Sequence, residues 1–258
     1  MFVVKGLTTS EGLKTRKGVD LSTIALSEKY RPQRLSQILG QSYAVQALQD
    51  FADMPYPQAF FLHGPTGTGK STAGWALARE LGVNMQWDFI HVESARMNDD
   101  MVETATKIIR RVGHKDGWKL VLVDECHTMT TKAKGLFLSV LEPLPEKSVI
   151  VFTTHEPGKM EQAFIDRCES IKFESAYRTL KHEAQSYLAR IWHGEGMPGA
   201  VPDIDETNVQ IEGVLSFRRI ARFVEQQKHK VGSGKPARVA TAGINLKEHQ
   251  AHKQTVRL

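Results

Sequence analysis

One ten-residue stretch constrains this chain more than any other. His63, Gly64, Pro65, Thr66, Gly67, Thr68, Gly69, Lys70, Ser71 and Thr72 carry the pattern G-x-x-x-x-G-K-[S/T], matched at Gly64, Gly69, Lys70 and Ser71. The apolar run 59–62 before it predicts a buried strand. Ala73, Ala76, Leu77 and Leu81 after it fall at helical spacing. Strand, glycine turn and helix N-terminus, in that order, aim successive main-chain N–H groups at an anion. Lys70 then predicts a cation on the outer phosphates of a nucleotide, and the Ser71 hydroxyl predicts a ligand for Mg²⁺. The flanking strand and helix favour a nucleotide site over a glycine turn that binds nothing.

A second stretch agrees with the first. Leu120, Leu122 and two valines run straight into Asp124 and Glu125, as in a strand buried on both faces of a parallel sheet. Open α/β sheets bind ligands at the carboxyl ends of such strands. Asp124 is expected in the Mg²⁺ shell, and Glu125 is expected to polarise the water that attacks the terminal phosphate. A third buried strand, 148–154, ends in Thr153 and Thr154, and Thr154 is placed to sense that phosphate. Strands over 88–92 and 170–173 complete an α/β sheet. Helices are expected over 42–51 and over 98–112, the latter with Val102, Ala105, Ile109 and Val112 on one face. Another is capped by Thr130 or Thr131 and stopped by Pro143 and Pro145.

Beyond Glu174 the chain turns polar and helical. Leu180, Ala184, Tyr187, Leu188 and Ile191 mark one amphipathic helix, and 214–224 reads as a second. The expected division is an N-terminal extension over 1–20, an α/β nucleotide-binding domain over 21–174, a helical lid over 175–228 and a basic tail over 229–258. No apolar run approaches the roughly 20 residues a membrane span needs, and the first residues lack a secretory signal. No membrane partner is expected. The chain has only two cysteines, Cys126 and Cys168, too few for a disulfide framework or a four-cysteine zinc site. A reducing, cytoplasmic setting fits, and Cys126 beside His127 reads as a buried thiol rather than a nucleophile. His249 and His252 have metal-like spacing but no companion ligands. The net charge of +5 suits a polyanionic partner.

The motifs in sequence carry a family resemblance. They are Glu28, Lys29, Tyr30, Arg31 and Pro32 with Ile38, Leu39, Gly40 and Gln41; the phosphate loop; and Asp124 with Glu125. Further on come Leu141, Glu142 and Pro143; Phe152 through Pro157; Asp166, Arg167 and Cys168; and Ser216, Phe217, Arg218 and Arg219. Together they resemble the AAA+ ATPases, and within them the ATPase subunits of sliding-clamp loaders: bacterial gamma/tau, replication factor C and phage loaders. The resemblance implies an AAA+ P-loop domain with a five-stranded parallel sheet in the order 5-1-4-3-2, followed by a small all-helical lid. It implies ATP and Mg²⁺ as ligands, and an adenine slot at Tyr30, Arg31, Pro32, Ile38 and Leu39. Thr66, Gly67, Thr68 and Thr72 would join the phosphate site. Thr154 would stand at the first sensor and Arg218 at the second. Arg167 would reach the γ-phosphate of a neighbouring subunit, where a fixed planar cation is most effective.

The implied partners are other clamp-loader subunits, a sliding clamp and primer-template DNA. Arg96, Lys107, Arg110 and Arg111 are candidate contacts to the DNA backbone, with a solvated helix face as the rival reading. Leu136 and Phe137 are candidates for a clamp-facing surface or for the core. Asp166 replaces the family's usual serine and sets a carboxylate beside Arg167. The zinc insert of gamma/tau is missing, and about 30 residues after the lid are too few for the family's collar domain. Two rival functions share these motifs: another AAA+ DNA-remodelling machine, such as a helicase loader or branch-migration motor, and a nucleotide-binding structural subunit.

Overall fold

The computed structural model describes residues 24–94 and 99–232. The expected extension over 1–20, Arg96, most of the basic tail, and His249 with His252 lie outside the described residues.

Five strands form one parallel sheet: β1 (Gln58–His63), β2 (Phe89–Glu93), β3 (Lys119–Asp124), β4 (Ser148–Thr154) and β5 (Glu169–Lys172). Their order is β2-β3-β4-β1-β5, the order the resemblance implies, read from the other edge. Every residue of β3 and β4 is buried, which is why these strands read as continuous apolar runs instead of alternating ones. Side chains still alternate between two cores. Phe60, Leu62 and Leu122 face one core with α2 (Ser42–Asp53) and α3 (Lys70–Glu80). Phe61, Val121 and Val123 face the other, with α4 (Asp99–Arg110) and α5 (Thr131–Leu141).

Local signals fix most helix ends. Thr130 caps α5 by accepting from the Ala133 amide at 3.1 Å. Gly82, at φ 65°, closes α3. The helix expected over 98–112 stops at Arg110, so Val112 leaves the apolar stripe and is 76% exposed. Phe137 is fully buried in the second core and is not a clamp-facing residue.

A third core holds the lid. Here α7 (Tyr177–Gly194) packs on α8 (Phe217–Gly232) through Leu180, Leu188, Ile191, Ile220 and Val224. The structure departs from the sequence reading in two places. Val214 and Leu215, expected within the second lid helix, form β7 (Val214–Leu215) and pair antiparallel with β6 (Gln210–Ile211). Glu212 and Gly213 both take positive φ, 51° and 76°, the geometry of a two-residue hairpin turn. The lid is therefore helical apart from this short ladder. In addition, α1 (Leu26–Lys29) and Tyr30, expected to belong to the ATPase domain, pack into the lid core. The Leu26 amide donates to Glu225 at 3.1 Å. Gln41 pins the end of the first body, just before the lid: its amide nitrogen donates to the Glu174 carbonyl and its amide oxygen accepts from the Glu174 N–H, both at 2.8 Å. Among the described residues no helix is long and apolar enough to cross a membrane.

Candidate nucleotide site

The loop from β1 to α3 is shaped by its glycines. Gly64, Gly67 and Gly69 take φ of 141°, 83° and 106°, values that favour a residue without Cβ. At Gly67 a Cβ would also collide with Ser216 Oγ. The Gly67 carbonyl accepts from the Phe217 amide at 3.0 Å, which ties the loop to the first residue of α8. Lys70 is buried and donates to the Gly64 and Pro65 carbonyls at 2.7 and 2.8 Å. Burial lowers its ammonium from 10.5 to about 8; Glu125 and Asp124 oppose the shift, and Arg218 adds to it.

Beside the loop lies a closed network around the first acid. Ser71 Oγ and Thr153 Oγ1 each donate to Asp124 Oδ1 at 2.7 Å, and His91 Nε2 lies 2.6 Å from Oδ2. Burial alone would raise the Asp124 carboxyl, but His91, Ser71 and Thr153 outweigh it and hold it below the usual range. A hydroxyl and a carboxylate meeting at the loop are hard oxygen donors, and they fit Mg²⁺. Glu125 follows in a left-handed backbone conformation, φ 56°, and its carboxylate reaches the cavity wall. It also lies 2.6 Å from His155 Nδ1 and 3.4 Å from His127 Nδ1. Burial lowers the His127 imidazole below its ordinary value.

The cavity runs between this acid-and-loop wall and the lid. Of the expected residues it brings together Arg31, Pro32, Ile38, Leu39, Thr66, Gly67, Thr68, Gly69, Lys70, Ser71, Thr72, Glu125 and Arg218. Ser27, Glu28, Gln37, Tyr187, Arg190 and Phe217 complete the lining and were not expected. Tyr187 and Arg190 are neighbours on α7, with the guanidinium 5.1 Å from the ring centre.

Three expectations need correction. Tyr30 does not line the cavity: its hydroxyl donates to Glu195 at 2.9 Å and its ring packs on the lid. The Glu195 side chain is only 2% exposed, and it also binds Lys29 and Lys228. Burial alone would raise this carboxyl, but bonds from Lys228, Lys29 and Tyr30 prevail and bring it to about 2. Thr154 does not touch the acid pair. Strand alternation sends Thr153 there, and Thr154 Oγ1 instead lies 2.9 Å from His127 Nδ1. Asp166 does not pair with Arg167; it accepts from Gln162 at 2.6 Å, one turn back on α6 (Gln162–Ile165) and its C-cap. Arg167 instead bonds Glu142 at 2.9 Å and the Ala163 carbonyl at 2.6 Å. It stands 37% exposed and outside its own cavity lining. Among the candidate DNA contacts, Lys107 pairs with Glu103 at 3.3 Å and Arg111 with Asp88 at 3.1 Å.

Sequence comparison places this geometry in a family. Residues 60–175 match the model of the ATPase family associated with various cellular activities, AAA. That stretch of the chain is an AAA ATPase domain. Its relatives bear out the clamp-loader resemblance of the motifs. The AAA domain and its flanks are 25% identical to the replication factor C small subunit of Picrophilus torridus, over 87% of this chain and 70% of that one. Replication factor C subunit 3 of Saccharomyces cerevisiae is 26% identical over 57% of this chain and 44% of its own length. DNA polymerase III subunit tau of Bacillus subtilis is 25% identical over 60% and 31%. The chain thus spans under half the length of the yeast and Bacillus relatives. The Thermotoga maritima RuvB Holliday junction branch migration motor superposes with a TM-score of 0.63 at 16% identity, covering 82% of this chain and 69% of that one. That likeness shows the fold: an AAA sheet followed by a helical lid.

Proposed function

We propose that the chain is the ATPase subunit of a DNA-replication clamp loader, using ATP binding and hydrolysis to open a sliding clamp and place it on primer-template DNA. The observation that carries the hydrolytic part is the convergence of Lys70, Ser71, Glu125 and Arg218 on one cavity, with Asp124 bonded to Ser71 behind it. The replication relatives support the clamp-loading part. The proposed division is a core over 21–174 and a lid over 175–228, with 26–30 docked on the lid and flanking segments over 1–20 and 229–258. An intracellular setting follows from this reading.

Each residue has a distinct task. Main-chain N–H groups from Thr66 to Thr72 and the Lys70 ammonium bind the phosphates. Lys70 exchanges two loop carbonyls for phosphate oxygens, so its charge is favoured once nucleotide arrives. Ser71 and Asp124 would hold Mg²⁺, which neutralises phosphate charge when bound. Thr153 and His91 orient Asp124. Glu125 polarises the attacking water. Arg31, Pro32, Ile38 and Leu39, with Tyr187 and Arg190, enclose the base, and Arg218 brings the lid onto the phosphates. Arg167, facing outward, serves the nucleotide of an adjoining subunit. Catalysis of this kind is positioning and charge stabilisation.

A turnover assay with cognate clamp and primed DNA tests the reading. Clamp and DNA together should raise hydrolysis by the wild-type chain, and clamp should be retained in a pull-down with ATP. Stimulation by DNA without clamp retention would point to another remodelling motor, and equal rates for wild type and Glu125→Gln would leave only a structural subunit.

A further inference from the structure

Two histidines crowd Glu125, and the hydrolytic reading uses neither. His127 lies in the short turn Cys126–Thr128 after Glu125, and His155 is the first residue beyond β4. Their rings meet edge to face with centres 4.7 Å apart. Glu125 Oε2 lies 2.6 Å from His155 Nδ1 and 3.4 Å from His127 Nδ1. One ligand atom from each of the three lies within 4.8 Å of the others. On the far side, Glu156 Oε1 sits 3.3 Å from His155 Nε2 and 3.9 Å from His127 Nε2.

A neutral imidazole has one N–H and one lone pair. His155 has a carboxylate oxygen at each ring nitrogen, so either neutral tautomer sets a lone pair against an oxygen, and only a second proton or a cation at Nδ1 resolves it. A metal ion on the Nδ1 side removes the conflict. Nε2–H then donates to Glu156, and the Nδ1 lone pair turns to the ion, which is the usual carboxylate–histidine–metal arrangement. We infer that Glu125, His127 and His155 form a site for a divalent cation of the zinc class, bound by one carboxylate oxygen and two Nδ1 atoms.

Two imidazoles and one carboxylate are a common zinc set and leave the fourth tetrahedral position to water. Metal–ligand bonds of about 2.0–2.2 Å set ligand atoms roughly 3.4 Å apart in a tetrahedral site. The Glu125–His127 separation of 3.4 Å already matches, and the His155 contact opens by under about 1 Å. Thr154 Oγ1, 2.9 Å from His127 Nδ1, gives up that bond to the ion. Mg²⁺ prefers an all-oxygen shell and does not compete for the imidazoles. The consequence rests on the role proposed for Glu125: a zinc-class ion engages its carboxylate and stops hydrolysis. The loop, Ser71 and Asp124 stay free to take nucleotide with Mg²⁺.

The test uses the full chain stripped with EDTA. Zn²⁺ binding is read by calorimetry and Co²⁺ binding by its visible absorption, with circular dichroism and binding of a fluorescent ATP analogue as checks on folding. Wild type should bind one ion per chain with a tetrahedral Co²⁺ spectrum. His155→Gln and the His127→Gln/His155→Gln double variant should bind more than about tenfold more weakly while keeping nucleotide affinity. Saturating Zn²⁺ should cut wild-type turnover by about 10²-fold without displacing nucleotide, and His155→Gln turnover should resist it. Equal metal binding by wild type and both variants, or no binding by wild type, overturns the site. Metal binding that the variants abolish, in a chain that never hydrolyses ATP, keeps the site and sinks the hydrolytic reading instead.

Discussion

The two walls of the cavity are held by different means. On the acid-and-loop wall the polar groups already have partners within the fold: Ser71, Thr153 and His91 on Asp124, and Lys70 on two loop carbonyls. The lid wall is secured through Glu195, whose carboxylate gathers Lys29, Tyr30 and Lys228 from two separate stretches of chain. The first wall is ordered before any ligand arrives, as preorganised electrostatic sites are. The second depends on ion pairs between elements distant in sequence, so it is the wall whose position conditions can change.

The largest expected effect tests whether two walls of one chain suffice. In the assembled complex, Arg167→Ala should bind ATP normally and lose stimulated hydrolysis by about 10³ to 10⁵-fold. An isolated monomer hydrolysing at the full stimulated rate would break the comparison, because nothing beyond its own walls would be needed. Next in size is Glu125→Gln, expected to lower turnover by about 10² to 10⁴-fold with nucleotide affinity unchanged, as measured by single-turnover kinetics and equilibrium binding. A matching loss of affinity would show that the acid wall is not preordered.

A pH series sharpens the same contrast. Lys70 in the ligand-free wall is lowered by burial to about 8, and bound phosphates favour its charged form. Affinity is therefore complete below pH 8 and falls as pH rises through it. The Kd for ATP should weaken about tenfold between pH 7 and pH 9, and a flat profile would contradict the burial of the lysine. The smallest effect belongs to the lid. Glu195 is held at about 2, below its ordinary 4.5, so its contribution is present above pH 4.5 and is lost as pH falls towards 2. Glu195→Gln should lower Tm at pH 7 by on the order of 2–4 °C, and by less at pH 3. An equal shift at both pH values would remove the carboxylate from the account of the lid.

How much of this was legible in sequence follows the same division. The first wall could be read because its signals are local: a fixed glycine and lysine spacing, and apolar runs ending in acids. The exception is Thr153 against Thr154, where a choice of one residue depends on which way β4 faces. A clue to His91 was available, since a polar ring between Ile90 and Val92 in a strand needs a partner. The lid wall resisted reading because its partners are remote. Nothing near Tyr30 announces Glu195, 165 residues on. The hairpin over 210–215 was hidden because Val214 and Leu215 continue the apolar spacing of α8, while the turn at Glu212 and Gly213 is a weak sequence signal. For Asp166 and Arg167, adjacency misled: neighbours at a helix end point apart, and each found a partner from another turn.

The bond from the Phe217 amide to the Gly67 carbonyl splices the floor under the phosphates to the root of α8 through peptide groups alone. Every residue but proline supplies such a donor, so substitution at Phe217 short of proline keeps the splice, whereas Gly67 has no room for a Cβ beside Ser216. Any swing of the lid is thus felt by the loop as a pull on its own backbone.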